Sequence, residues 1–230
     1  TSTSAIDAEL VGLSFAVKEF EAFYVPVPAN REEALQIVNI FKPVYESDEI
    51  LKVGQNLKYD LEVLRNYGIE LKGKMWDTMI AHYLIQPELH HNMDYMAEIY
   101  LNYQTIHIDE LIGPKGKNQK SMRSLLPSQI YEYAAEDADI TLRLKNKLEP
   151  EFKKAECEDL FYNIEMPLMP VLAEMEMNGV CLDTASLAET SKQFTNRMNE
   201  IEARIYELAG EQFNIASQAK IGRASCRERV

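Results

Sequence analysis

The chain has 230 residues, 46% of them hydrophobic, enough to bury a core in one large domain or one and a half ordinary ones. No apolar run approaches the roughly 18 to 20 residues a membrane span requires, and the first residues lack a signal-peptide pattern, so a soluble cytoplasmic protein is expected. A formal charge of −13 excludes a protein that coats nucleic acid through bulk charge, and Cys157, Cys181 and Cys226, which have no ligand spacing, are expected as reduced thiols.

In chain order, LVGLSFAV (Leu10 to Val17) alternates with Val11, Leu13, Phe15 and Val17 on one face, and AFYVPV follows after a short turn, which predicts a β-hairpin. REEALQIVNIFKPVY places acids in its first turn and apolar residues at Leu35, Val38 and Phe41, predicting a helix, and EILKVG then reads as a short buried strand. A second helix is predicted from Asn56 to Tyr67, stopped by Gly68, with further helices near Thr78 to Ile85 and Met93 to Leu101. Gly113 to Arg123 holds Lys115, Lys117, Lys120 and Arg123 with no acid among them, in a stretch that reads as an exposed loop. The long helix that follows is expected to be capped by Ser128 and ended by Pro150. Strands first, then alternating helix and strand, then helices, predict an α/β layer structure for about the first 150 residues. From about Cys157 to Gly210 two long helical patterns are split by NGVCLD, with Asp183 able to cap the second. The last residues, IGRASCRERV, show neither periodicity nor core content, so 218–230 is set aside as a tail of doubtful origin.

Wound at roughly 100° per residue, the long helix gathers Ile130, Ala134, Thr141, Leu144 and Leu148 on one stripe, with Asp137 in its middle and Asp139 on the opposite, solvated face. An acid facing a core costs several kcal/mol unless it is paired, hydrogen-bonded or bound to a metal. On the helix beginning at Asn56, Asp60 projects among Leu57, Leu61, Val63, Leu64 and Tyr67, again toward the side expected to be buried. Alone, Asp60 reads first as a helix-start acid favoured by the macrodipole, and Tyr133 as an ordinary core tyrosine. Two inward carboxylates on separate elements point together to a Mg²⁺ or Mn²⁺ site completed by a phosphoryl substrate, with the Tyr133 hydroxyl one turn from Asp137 and able to orient a water.

VGQNLKYDLEVL and YAAEDADIT resemble the second and third exonuclease motifs of the family A DNA polymerases of the bacterial DNA polymerase I type. DTM, KGKNQ and IEMPLMPVLAEMEMNGV match that family in the same order, so the resemblance covers about Leu10 to Ser217. Ribonuclease D and related exonucleases share the Tyr and Asp pattern, but IEMPLMPVLAEMEMNGV resembles the entry to a polymerase thumb and separates the two.

The resemblance implies a proofreading 3′-5′ exonuclease of ribonuclease-H-like fold, a mixed sheet flanked by helices, over 1–152, and the first thumb helices of a polymerase domain over 153–217. It implies hydrolysis of the 3′-terminal phosphodiester of DNA with two divalent metals, Mg or Mn, in a monomeric bacterial cytoplasmic protein whose partner is a single-stranded 3′ end. By the same resemblance Asp137 and Asp60 bind metal, Tyr133 orients the attacking water, Gln55 and Asn56 contact the terminal nucleotide, and Lys115, Lys117, Lys120 and Arg123 contact the strand. Asp77 matches a position that supports structure before catalysis. The family's Asp-x-Glu strand precedes the segment that opens this chain; Asp7 and Glu9 read D-x-E but fall in the loop before the second strand of that fold. His90 or His91 stands where the family tends to have an Arg. Without the central strand, the hairpin and EILKVG are expected either to lie apart across a gap or to pair with each other. With two of four acidic ligands absent, little or no activity is expected; the alternative is a non-catalytic nucleic-acid-binding or structural domain.

Overall fold

The structure, a computed structural model, describes residues 4–218 and 220–222; the tail from 223, with Cys226, lies outside the described residues. Cys157 and Cys181 are free thiols. β1 (Gly12–Lys18) and β2 (Glu21–Pro26) form the predicted antiparallel hairpin, with Leu13 opposite Val25 and Phe15 opposite Phe23. Asn30 caps α1 (Arg31–Tyr45), and the buried Ala34 and Val38 face the hairpin's core, where the rings of Phe15 and Phe41 stack 4.9 Å apart.

β3 (Lys52–Gly54) and β4 (Met75–Asp77) pair in parallel, with Val53 opposite Trp76, and α2 (Leu57–Asn66) makes the crossover that a parallel pair demands. The strands form two separate two-stranded sheets; those of the hairpin and those of the parallel pair do not join, which is the first of the two outcomes expected above. Residues 4–9 form no strand.

α3 (Thr78–Ile85) is followed by α4 (Met93–Met96), which runs into a π-helical turn at Ala97–Leu101, and then by α5 (Ile108–Ile112). α6 (Pro127–Lys154) packs on β1, β2, β3 and α3 and so bridges both sheets. Two sequence expectations about it are corrected. Leu126 is the N-cap residue, because Pro127 takes the first helical turn, where no N–H is needed, and Gln129 Oε1 accepts the Leu126 N–H at 3.0 Å. Pro150 lies inside the helix. Its cost of about 3 kcal/mol is offset by the burial of Leu148 and Phe152 on either side of it, which are worth about 1.5 to 3 kcal/mol each.

α7 (Glu158–Leu160), a π turn at Phe161–Glu165 and α8 (Met166–Asn178) run on without a break. Phe161, Met166, Met169 and Ala173 join Trp76, Ile140, Leu144 and Phe152 in one core, with the Phe152 and Phe161 rings 5.0 Å apart. The first compact unit therefore extends to Gly179, past the sequence boundary at 152. The second unit begins at Val180 and is built on α9 (Thr184–Ala209), where Asp183 accepts the Ser186 N–H at 2.9 Å as the predicted cap and Gly210 ends the helix at φ 66°.

Candidate functional site

Asn56 turns the chain into α2 at φ 61°, and the Leu57 N–H that opens the helix donates to Asp77 Oδ2 at 2.7 Å. Asp60 follows within the first turn. The sequence pattern predicted it buried; the structure corrects this, since Leu57, Leu61, Val63 and Leu64 are buried while Asp60 is exposed. It opens into a cleft of about 200 Å³ walled by Tyr59 and Val63 of α2, Leu10 and Tyr24 of the hairpin region, and Ile130 and Ala134 of α6. The protein around the cleft, then the charge of Asp77, raises this carboxyl above the usual carboxylate range.

Ile130, Thr141, Leu144 and Leu148 form the buried stripe of α6, and Tyr133, Ala134 and Asp137 are half-buried at its edge. The Tyr133 hydroxyl stands beside the Asp137 carboxylate one turn along and interacts with it. Burial pushes Asp137 up to about 7 against the lowering effect of that hydroxyl, with Glu136 and Asp94 adding to the rise. Burial and the neighbouring Asp137 charge also raise Tyr133, so its hydroxyl keeps its proton. Sequence reasoning missed Glu136 and Asp94. Glu136 is anchored by the Tyr103 hydroxyl and the Ile106 N–H, both at 2.7 Å, and Asp94 by Thr105 Oγ1 at 2.7 Å.

Tyr133 and Asp137 are brought together; the principal charge on Asp60 is that of Asp77, and those on Asp137 are Glu136 and Asp94. Among the described residues no group of three or more His, Cys, Asp or Glu side chains is arranged to hold a metal ion. The oxygen donors are nonetheless of the right kind for a hard divalent cation, and no described residue hydrogen-bonds the Asp60 carboxylate.

The nucleic-acid residues divide. Lys115, Lys117 and Lys120 are exposed on their loop, as predicted. Arg123 is half-buried, its guanidinium donating to Val27 O at 2.7 Å and Leu10 O at 2.5 Å and lying 3.4 Å from Glu9, so it clamps the two ends of the hairpin. Gln55 is held at both ends of its amide, by His91 O at 2.8 Å and by the Thr78 hydroxyl, whereas Asn56 is exposed. Asp77 is a buried structural hub, capping α3 through Met79 and Ile80 as well as receiving Leu57. Asp7 accepts from the Ser4 hydroxyl, and His91 pairs with His82.

Residues 1–153 match a family model described as 3′-5′ exonuclease, that of the A-type DNA polymerases. The chain is 39% identical over 236 residues to DNA polymerase I of Pseudomonas aeruginosa, with 96% of this chain and 25% of the relative covered. It is 34% identical over 223 residues to DNA polymerase I of Borreliella burgdorferi, covering 94% of this chain and 24% of the relative. It therefore spans about a quarter of the length of these curated relatives. A solved structure, the POL domain of Pol1 from M. smegmatis in complex with DNA primer-template and dNTP, superposes with a TM-score of 0.75 at 20% identity, covering 96% of this chain and 35% of that one. That likeness carries the fold, which is α/β with strands and helices of the ribonuclease-H-like kind followed by further helices.

Proposed function

The chain belongs to the 3′-5′ exonuclease family of the A-type DNA polymerases, and from that premise we propose that it is the proofreading part of a DNA polymerase I, acting on the single-stranded 3′ end of DNA. Residues 1–152 form the exonuclease part in this reading, and 153–217 begin the polymerase part. The observation that carries the reading is the Tyr133 hydroxyl beside the Asp137 carboxyl on the helix that also walls the cleft into which Asp60 opens.

Asp60 and Asp137 would each offer a carboxylate to a divalent cation, Mg or Mn. When bound, such cations supply an acidified water and neutralise the departing 3′ oxygen. The chain's own contribution is to orient. Tyr133 fixes the Asp137 carboxylate and, keeping its proton, can orient a water beside the scissile phosphodiester. Lys115, Lys117 and Lys120 give the strand's phosphates an exposed cationic surface. Asn56, exposed at the start of α2, can meet the terminal nucleotide. The protein works as a monomer in the bacterial cytoplasm.

Cleavage by this chain is slow in this reading, since Asp60 and Asp137 are two of the four acids that the resemblance implies. The second reading is a nucleic-acid-binding domain without chemistry. A 5′-labelled single-stranded oligonucleotide incubated with the chain and Mn²⁺ decides between them. Shortening from the 3′ end that Asp137→Ala abolishes supports the exonuclease; binding without shortening supports the second reading.

A further inference from the structure

The helix that carries Asp60 has a second charged face. Lys58, Glu62 and Arg65 lie at i, i+4 and i+7 and form one stripe, from which Asp60 is turned by roughly 140° to 200°. That stripe meets α8. Lys58 Nζ pairs with Glu176, Arg65 Nη1 lies 2.8 Å from Glu174 Oε2, and Glu62, 4% exposed, faces the Glu176 carboxylate, its Oε1 without a hydrogen-bond partner among the described residues. Below them, Leu57 and Leu61 of α2 and Met169 and Ala173 of α8 belong to the same core.

We propose that α8 is a latch on the back of α2, and that Glu174 and Glu176 are positioning residues which set where Asp60 stands in the cleft. This rests on the reading of Asp60 as a site residue. The physical ground is leverage on a short element. α2 has ten residues, its N-terminal end is fixed by Asp77, Arg31 of α1 donates to the Asn66 carbonyl at its other end, and its side-chain ion pairs among the described residues run to α8. Each ion pair is partly exposed and worth little to global stability, so the pairs act through register and orientation more than through energy. Two arms two residues apart on α8, Glu174 and Glu176 reaching Arg65 and Lys58 at opposite ends of α2, fix both its rotation and its slide.

The test compares the chain with Glu174→Lys/Glu176→Lys, with the charge swap that adds Lys58→Glu/Arg65→Glu, and with the milder Glu174→Gln/Glu176→Gln should the reversal fail to fold. Two readouts are taken: amide hydrogen exchange across Leu57–Asn66, and the ¹³C resonance of the Asp60 carboxyl. The fluorescence of the single tryptophan, Trp76, buried in the main core, gives the global unfolding midpoint. Exchange in α2 is expected to quicken about fivefold with the hairpin unchanged, the Asp60 resonance to move, and both to return in the swap. Unaltered α2 exchange, uniform loosening of the whole unit with a lowered Trp76 midpoint, or a swap that restores neither readout overturns the latch. Neither readout needs metal or DNA, so failure of the nuclease reading shows separately, in the cleavage assay.

Discussion

Asp77 Oδ2 accepts the Leu57 N–H at 2.7 Å, so the residue that ends β4 also starts α2, while its Oδ1 caps α3 through Met79 at 2.8 Å and Ile80 at 3.2 Å. One buried carboxyl thus sets the starts of two helices, one of which carries Asp60. Asp77→Ala leaves a buried N–H without its acceptor and α3 without its cap, and should lower stability by about 2 to 4 kcal/mol. Asp77→Asn keeps an acceptor oxygen and should cost about half as much. Urea denaturation followed by Trp76 fluorescence measures both, and equal losses would refute the assignment of Asp77 as an acceptor.

Asp139 holds the hairpin on α6. Its Oδ1 accepts the Phe20 N–H at 2.5 Å, Arg143 lies 3.3 Å from its other oxygen, and the guanidinium covers the Phe20 ring at 4.4 Å. Phe20 is a non-glycine residue at φ 66°, a conformation that needs an anchor. Asp139→Ala should cost about 1 to 2 kcal/mol, and a double-mutant cycle with Arg143→Ala should show the two effects to be non-additive. Additive losses would mean that the pair does not act as one clamp.

These cases show where the sequence was legible. Periodicity found the hairpin, α1, α2, α3 and the long α6, because each buries a stripe or an alternating face that the residues spell out, and cap chemistry marked Asp183. The Tyr133 and Asp137 pairing was legible as one helical turn. Asp139 was read as solvated and Asp60 as buried, and the structure reverses both, because a helical wheel ranks faces without knowing which neighbour covers them. The apolar stripe of α2 marked a buried side, but the side on which Asp60 stands borders an open cleft. Asp139 is covered by a hairpin turn 119 residues away in sequence, and no local pattern encodes that contact. Arg123 was read as part of an exposed loop, and its half-burial escaped local pattern for the same reason, since its acceptors are the carbonyls of Leu10 and Val27.

His82 gives the fold an acid-sensitive point. It is fully buried, its Nδ1 lies 2.8 Å from His91 Nδ1, and its Nε2 has no partner. Burial, then the neighbouring His91, lowers it from 6.5 to about 4. The unfolded chain therefore takes up a proton at this residue between pH 6.5 and 4 that the folded chain refuses, and stability falls as pH drops through that window. The loss should reach about 3 kcal/mol between pH 7 and pH 4 relative to His82→Phe, since each tenfold difference in proton affinity between the folded and unfolded chain is worth about 1.4 kcal/mol. Stability curves at pH 7, 5.5 and 4 for both proteins check this, and parallel curves would remove His82 as the cause.

The basic segment separates two roles that charge alone cannot distinguish. Lys115, Lys117 and Lys120 are exposed on their loop, whereas Arg123 spends its donors on Leu10 O and Val27 O and sits beside Glu9. If the loop meets a single strand, each lysine that neutralises a phosphate should contribute about 0.7 to the slope of log K against log salt, so the triple Lys→Ala variant should lower that slope by about 2. The same variant should leave stability within about 0.5 kcal/mol of the parent, since exposed loop lysines hold no structure. Arg123→Ala should do the reverse: it leaves two part-buried carbonyls short of donors, costs about 1 to 2 kcal/mol, and changes the salt slope little. Fluorescence anisotropy with a labelled oligonucleotide over a salt series, beside urea denaturation, tests the pair. A lowered slope with unchanged stability in Arg123→Ala would transfer that residue from the clamp to the DNA-binding surface.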